Sequence, residues 1–309
     1  MSENYYVLLA GGIGAAKFIQ GLAKVIEPEL IKIIVNTGDD IDLFGLKICP
    51  DLDIITYTLA NSVDKKKGWG FTNESFNCLS ILKKYYDSGW FNAGDKDLAT
   101  HIYRTDLFKQ GFNKAEITKM ICQNLGVKSH IIPMSNETVQ TFIKTPLGSM
   151  HFEEYFIKYK CLPEILNIEF KGIEQALPVK NVLEYIKRAN KVIICPSNPI
   201  VSIGTILQVK GLKDALSKAK DKVFGISPII EGTTVKGPAD KMMKFYGFEV
   251  SCVGVASFYD EFLGNFIIDN KDCELKAKIE ELGIRTYCFD TLMINKKKKI
   301  NLANFVLSL

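Results

Sequence analysis

The sequence predicts an α/β protein: a doubly wound, Rossmann-like parallel sheet carrying a small antiparallel β insertion. Three observations predict it. Short apolar runs recur along the chain and stop at Gly, Pro or Ser turns, as in Tyr5–Ala10, Lys191–Cys195 and Val223–Ile226. Strands covered on both faces of a parallel sheet read this way, whereas half-buried strands alternate. Helical spacing follows the first run, so that Tyr5–Ala10, the glycines Gly11–Gly14, an amphipathic Ala15–Val25 and Ile31–Asn36 spell strand, turn, helix, strand. That order implies a right-handed crossover between parallel strands. Between Glu137 and Gly172 the texture changes to alternation, the mark of antiparallel strands.

A helix-rich stretch comes next after the first crossover, with helical spacing in Phe76–Tyr86 and Lys114–Leu125 and with loops at Lys65–Phe71 and Asn92–Thr100. The insertion holds runs at Thr138–Lys144, Met150–Tyr159 and Ile165–Phe170, the first two joined by the turn Thr145-Pro146-Leu147-Gly148. Helical pattern returns at Val182–Ala189, and the strand Lys191–Cys195 stops at Pro196-Ser197-Asn198-Pro199. Val223–Ile226 before Ser227-Pro228 repeats the arrangement, and Phe248–Val255 before Ala256 reads as a further strand. The basic run Lys296–Lys299 reads as a solvated turn. The chain divides into a first part of the core with its helical segment (1–136), the β-rich insertion (137–175) and a second part of the core (176–309).

Composition narrows the function classes. The 309 residues are 47% hydrophobic and 24% charged, which is ordinary globular usage, long enough for one large or two medium domains. Lys plus Arg is 39 against 35 for Asp plus Glu, and no basic half stands out, so nucleic acid is not the expected partner. No run approaches the roughly 18 apolar residues of a membrane helix, and the N-terminus lacks a signal-peptide layout. The eight Cys never form a C-x-x-C pair and sit mostly in apolar runs. They read as reduced structural thiols of a cytoplasmic protein.

Several segments carry chemistry. Gly11-Gly12-Ile13-Gly14-Ala15-Ala16-Lys17 lies between strand and helix, where backbone N–H groups meet a phosphate at the positive helix end. Lys17 replaces the third glycine of the dinucleotide fingerprint, and the Walker A spacing is absent, which argues against a nicotinamide dehydrogenase and a P-loop. Gly11, Gly12, Gly14 and Lys17 are expected to cradle a diphosphate; a tight turn that only packs strand on helix is the alternative. Asn36-Thr37-Gly38-Asp39-Asp40 follows the second strand, with Asp42, Asp51 and Asp53 close behind. So many carboxylates repel one another unless a cation lies among them, and Mg²⁺ is the economical one, with Asp39 and Asp51 as ligands. Turn-forming Asp residues are the bland alternative. Ser197, Asn198 and Ser202 stand after a core strand, where open α/β sheets bind ligands, although Ser197 or Asn198 also suits a helix cap. Gly68-Trp69-Gly70 offers an aromatic plane in a polar loop, and His101, in Gly94–His101, reads as structural more than catalytic. The other histidines, His130 and His151, have no partners at zinc spacing.

Taken together these segments resemble the 2-phospho-L-lactate transferase family, which assembles the side chain of the deazaflavin coenzyme F(420). The matching pieces are Ala10–Lys17, Asn36–Asp40, Cys49-Pro50-Asp51-Leu52-Asp53 with Tyr57-Thr58-Leu59, Gly68-Trp69-Gly70, Gly94–His101, Ser197–Gly204 and Ser227-Pro228-Ile229-Ile230. They run in order from residue 10 to about 240. The resemblance implies a Mg²⁺-dependent transferase that moves a 2-phospholactate or enolpyruvyl phosphate unit from a guanosine diphosphate-linked donor to the ribityl hydroxyl of Fo, releasing GMP. It implies a homodimer. The residues it suggests are Gly11, Gly12, Gly14, Lys17, Ser197, Asn198 and Ser202 for the donor; Asp51, Trp69, Lys96 and Asp97 for the deazaflavin; and Asp40 or Asp53 for orienting or deprotonating the hydroxyl. A second resemblance, to gluconeogenesis-factor-like proteins, implies instead a UDP-sugar-binding regulator without catalysis.

Overall fold

In a computed structural model, which describes residues 4–64, 67–86, 89–234 and 237–309, seven strands form one sheet. They are β1 (Tyr6–Ala10), β2 (Ile31–Val35), β3 (His130–Pro133), β4 (Lys191–Ile194), β5 (Val223–Ile226), β6 (Asn265–Asp269) and β7 (Arg285–Phe289). Every pair is parallel, in the order β7-β6-β5-β4-β1-β2-β3. The chain therefore works outward from β1 in one direction, returns, and works outward in the other, which is the doubly wound plan with its switch point between β1 and β4. Both faces of the sheet are covered. In β1, Val7 and Leu9 enter one core while Leu8 and Ala10 enter the other, which is why the strand reads as an unbroken apolar run.

Helices α1 (Gly12–Leu22), α2 (Pro50–Leu59), α3 (Asn77–Leu82), α4 (Asp95–Lys109) and α5 (Lys114–Asn124) lie in the first part of the chain, and α6 (Val182–Arg188) opens the second. The insertion is a three-stranded antiparallel sheet of Gly148–His151, Gln140–Thr145 and Asn167–Lys171, with Gln140–Thr145 central. Two short hairpins, Ile41–Leu43 with Leu46–Ile48 and Ile229–Ile230 with Thr233–Thr234, complete the β structure. Among the described residues no helix is long and apolar enough to cross a membrane.

Several elements differ from the sequence reading. The segment Asn92–Thr100 is a loop only as far as Gly94, because Asp95 and Asp97 fall in the favourable first turn of α4. Residues 65 and 66 of the loop Lys65–Phe71 lie outside the described residues. The strand expected over Met150–Tyr159 ends at His151, and the chain turns helical over Glu154–Lys158, where Phe152 and Phe156 stack with planes 2° apart. Phe248–Val255 is not a strand: Ser251 Oγ accepts from Gly254 N at 3.1 Å and caps a helix, Cys252–Tyr259. Short apolar runs suit a buried helix as well as a strand, and the cap decides. Lys296–Lys299 is the first turn of a helix, Lys296–Ser308, capped by Asn295, whose Leu302, Ala303 and Val306 are buried against α1. Finally, Cys273 and Cys288 form a disulfide, so two of the eight cysteines are not thiols. Cys288 lies on β7 and Cys273 on the helical turn after the adjacent β6, which brings their Cα atoms to 5.8 Å, a normal bridging distance.

Candidate active site

The turns after β1 and β4 part at the switch point and open a cavity of about 500 Å³. Gly11 N donates to Ser197 Oγ at 3.1 Å and ties the two turns together. The glycines are needed for close packing: a Cβ on Gly14 would stand 2.1 Å from Pro196 O, and one on Gly11 would stand 2.7 Å from Asp51 Oδ2 and Ser202 Cβ. Gly12 has φ +70° and donates its N–H to Asp51 Oδ1 at 2.7 Å. The first two amides of the expected phosphate cradle are thus satisfied by the protein's own Ser197 and Asp51, and the anion at this end of α1 is a carboxylate. Asn198 Oδ1 accepts from Ile200 N and Val201 N, so the capping role is real, while Ser197, Asn198 and Ser202 all line the cavity.

The turn after β2 brings in the carboxylates. Asn36 is fully buried; its Oδ1 accepts from Gly38 N, and its Nδ2 reaches Asp39 Oδ2 at 3.1 Å and Asp51 Oδ2 at 2.9 Å. Asp39 and Asp51, the expected metal pair, are therefore held together by one amide, and both line the cavity. Glu153 joins them from the insertion. Burial, then the charges of Asp51, Glu153 and Asp40, holds the Asp39 carboxyl well above the usual range. Burial lifts Asp51 to about 6 against the hydrogen bonds of Asn36 and Gly12, and burial with the Asp51 charge lifts Glu153 to about 8. Asp39 Oδ1 is buried without a hydrogen bond of normal geometry, the neighbouring Thr141 hydroxyl notwithstanding.

Further along α2, Asp53 and Tyr57 line the cavity together with Asp97 and His101 of α4. Asp53 is paired with Arg104, whose Nη1 reaches Asp53 Oδ2 at 3.1 Å and Lys47 O at 3.2 Å while its Nη2 meets Asp53 Oδ1. Arg104 Nη1 also approaches His101 Nδ1 at 3.2 Å, and Tyr57 OH donates to Asp97 Oδ1 at 2.8 Å. Asp53, Asp97 and His101 each offer a ligand atom, all within 4.8 Å of one another, a grouping compatible with a divalent cation. Trp69 lines the cavity, as do the stacked Phe152 and Phe156.

Two expected site residues stand elsewhere. Asp40 does not line the cavity; its Oδ2 is 2.6 Å from Lys114 Nζ, and its carbonyl accepts from Gln140 Nε2 and lies 3.1 Å from His151 Nε2, so it ties the β2 turn to α5 and the insertion. Lys96 is also outside: its Nζ donates to Thr72 O and Asn73 O and holds a surface loop. Conversely, Asn36 and Tyr57 stand in segments the sequence singled out but without a role of their own, and Arg104, Glu153 and the phenylalanine pair had none; His101, read as structural more than catalytic, lines the cavity. The Asn36–Asp40, Tyr57-Thr58-Leu59 and Gly94–His101 segments carried the local signals for Asn36, Tyr57 and His101, and none marked Arg104, Glu153 or the phenylalanines.

Fold and cavity together define an α/β enzyme of small molecules, with its acidic site at the sheet's switch point. A family model described as 2-phospho-L-lactate transferase CofD matches residues 6–304. The chain is 37% identical over 303 residues to a 2-phospho-L-lactate transferase of Methanosarcina acetivorans, covering 98% of both chains. It is 39% identical over 293 residues to a phosphoenolpyruvate transferase of Streptomyces griseus, covering 93% of this chain and 92% of the relative. Among solved structures, a UPF0052 family protein from Bacillus halodurans superposes with TM-score 0.65 at 16% identity, covering 99% of each chain, and shows the shared fold. The chain belongs to the 2-phospho-L-lactate transferase (CofD) family and is a transferase of phosphorus-containing groups.

Proposed function

We propose that this chain transfers a 2-phospholactate unit, or its enolpyruvyl analogue, from a guanosine diphosphate-linked donor to the ribityl hydroxyl of Fo, releasing GMP, in coenzyme F(420) biosynthesis. One observation carries this reading. Five carboxylates, Asp39, Asp51, Asp53, Asp97 and Glu153, line the cavity, against Lys17 as the sole Lys or Arg among the described residues of its wall. Arg104 neutralises only Asp53. A diphosphate would add negative charge to a wall already short of positive charge, so the donor calls for a divalent cation.

The donor set fits Mg²⁺. Oxygen ligands are available on Asp39 and Asp51, which share Asn36, and the Asp39 Oδ1 atom is buried without a good partner. Arg104 already supplies the positive charge at Asp53, so Asp39 and Asp51 rather than the Asp53, Asp97 and His101 group would hold the ion. Bound there, Mg²⁺ would neutralise charge on the diphosphate and the leaving nucleotide. Lys17, Ser197 and Ser202 would hold the donor. Trp69, Phe152 and Phe156 suit a flat ring, which stacks on aromatic faces. In the transfer, the acceptor oxygen bonds to the β-phosphorus while that phosphorus parts from the oxygen bridging to GMP, which leaves with the electron pair. The hydroxyl proton passes to a carboxylate of the wall and on to solvent.

Titrating Fo into the protein, by its fluorescence or by calorimetry, with and without Mg²⁺ and GDP, tests this. Micromolar binding and GMP release from the synthetic donor are expected. Absence of Fo binding alongside tight UDP-sugar binding would overturn the reading in favour of a regulatory protein.

A further inference from the structure

Beside the Asp39, Asp51 and Glu153 cluster, α2 and α4 carry a continuous buried chain of polar side chains, Asp53, Arg104, His101, Asp97 and Tyr57, all but Arg104 lining the cavity and Asp97 the most accessible. We propose that Tyr57 and His101 are positioning residues that aim the Asp97 carboxylate at the hydroxyl that attacks phosphorus. The inference rests on the transferase reading above and adds to it the identity of the carboxylate and of the groups that hold it.

The geometry assigns the roles. A guanidinium only donates, so Arg104 Nη1, 3.2 Å from His101 Nδ1, makes Nδ1 the acceptor. The ring proton then sits on Nε2, which is buried, makes no hydrogen bond of normal length, and lies 3.5 Å from Asp97 Oδ1. Contacts of this kind are long in a ligand-free site and tighten when substrate arrives. Tyr57 OH donates to the same Oδ1 at 2.8 Å, and its ring is fixed beneath Phe71 with centroids 4.2 Å apart. With both donors on Oδ1, Asp97 has Oδ2 to offer an incoming hydroxyl. Burial alone would raise Asp97, yet His101 close beside it and the Tyr57 hydroxyl that donates to it keep its carboxyl below the usual range, so it meets the hydroxyl as an acceptor. The other two candidates for this task are committed elsewhere: Asp53 to Arg104, and Asp40 to Lys114 outside the cavity.

As the new O–P bond forms, the hydroxyl proton moves to Asp97 Oδ2, the bond from phosphorus to the bridging oxygen breaks, and GMP carries off the electron pair. Tyr57→Phe, His101→Asn and His101→Gln, each assayed for kcat, KM for Fo, Fo binding and melting temperature, test the idea. Gln keeps a donor near the Nε2 position, whereas Asn keeps only the group beside Arg104. The expected result is kcat lowered about 10- to 100-fold in Tyr57→Phe and His101→Asn, with Fo affinity within about threefold of wild type and His101→Gln recovering most of the loss. Equal losses in the Gln and Asn variants, or losses confined to KM, would overturn it. Wild-type protein that neither binds Fo nor releases GMP would overturn the transferase reading itself, whereas normal turnover in all three variants overturns only the positioning role.

Discussion

Asn36 is the residue on which the carboxylate cluster depends, because one amide serves Asp39 and Asp51 at once while its carbonyl closes the turn on Gly38. Asp51→Asn removes a charge but keeps an oxygen for Gly12 N. Turnover is therefore expected to fall on the order of 100-fold with little loss of stability, and a Mg²⁺ titration of rate is expected to show a higher half-saturation. Full turnover across the titration would show that Asp51 holds no metal. Between α2 and α4 the same scale gives a stability effect. Arg104→Met leaves Asp53 buried and unpaired, which costs about 3–5 kcal/mol, whereas a surface pair such as Lys213 with Glu261 is worth about 1 kcal/mol or less. Urea unfolding of the two single variants, Arg104→Met and Lys213→Met, checks the contrast.

At the scale of elements, the approach of α1 to its neighbours is set by glycines. A Cβ on Gly21 would meet the backbone carbonyl of Lys299 at 2.4 Å, in the C-terminal helix Lys296–Ser308. Gly21→Ala gains up to about 1 kcal/mol in helix propensity but meets a backbone atom that has no rotamer to yield, an overpacking cost of about 1–3 kcal/mol. Net destabilisation in a thermal melt is expected, and an unchanged or raised Tm would mean that the C-terminal helix shifts freely. The disulfide from Cys273 to Cys288 spans 15 residues of sequence, and closing a loop of that length stabilises by about 3 kcal/mol. Cys273→Ser, or reduction by dithiothreitol, is expected to lower Tm by several degrees. The elements legible in the sequence were those with a local signature: β1 with its glycines, β5 with Ser227-Pro228, and α5 with its helical spacing from Lys114, which the structure shows to open on a capping box of Asn113 and Glu116. Those misread, Met150–Tyr159 and Phe248–Val255, are apolar runs whose type is settled by a single stack or cap.

For the molecule as a whole, two buried groups bracket its stability in pH. Burial lowers His151 to about 4, with Glu153 N donating to its Nδ1, and lifts Glu153 to about 8. A histidine depressed in the folded state favours unfolding as pH falls from its unfolded value near 6.5, because the unfolded chain takes the proton first. A carboxyl raised in the folded state acts in the other direction: its unfolded form has lost the proton by about pH 5, so stability declines as pH rises toward 8. The metal-free protein is expected to melt highest between about pH 5 and 6, where the two effects balance. Mg²⁺, by replacing the proton's charge in the cluster, is expected to raise Tm more at pH 8 than at pH 6.5. Differential scanning calorimetry in both buffers checks the pair, and equal Mg²⁺ shifts would separate Glu153 from the metal cluster.

The doubly wound core, its opening strand-turn-helix-strand unit and the singling out of the residue 10–17, 36–53 and 197–204 segments, which line one cavity, were determined by the sequence itself. Apolar runs, turn residues and charge density act over a few residues, and neighbouring residues report them. The assignment of individual side chains was decided only by the tertiary structure. Asp39 and Asp40 are consecutive in the same turn, yet one faces the cavity and the other meets Lys114 at 2.6 Å, far along the chain. Glu153 and His101 reach the site from the insertion and from α4 because those elements pack over the switch point. Which carboxylates share a cavity, and which of them already have a cation, depends largely on contacts between residues from 15 to more than a hundred positions apart, and no local pattern encodes such contacts.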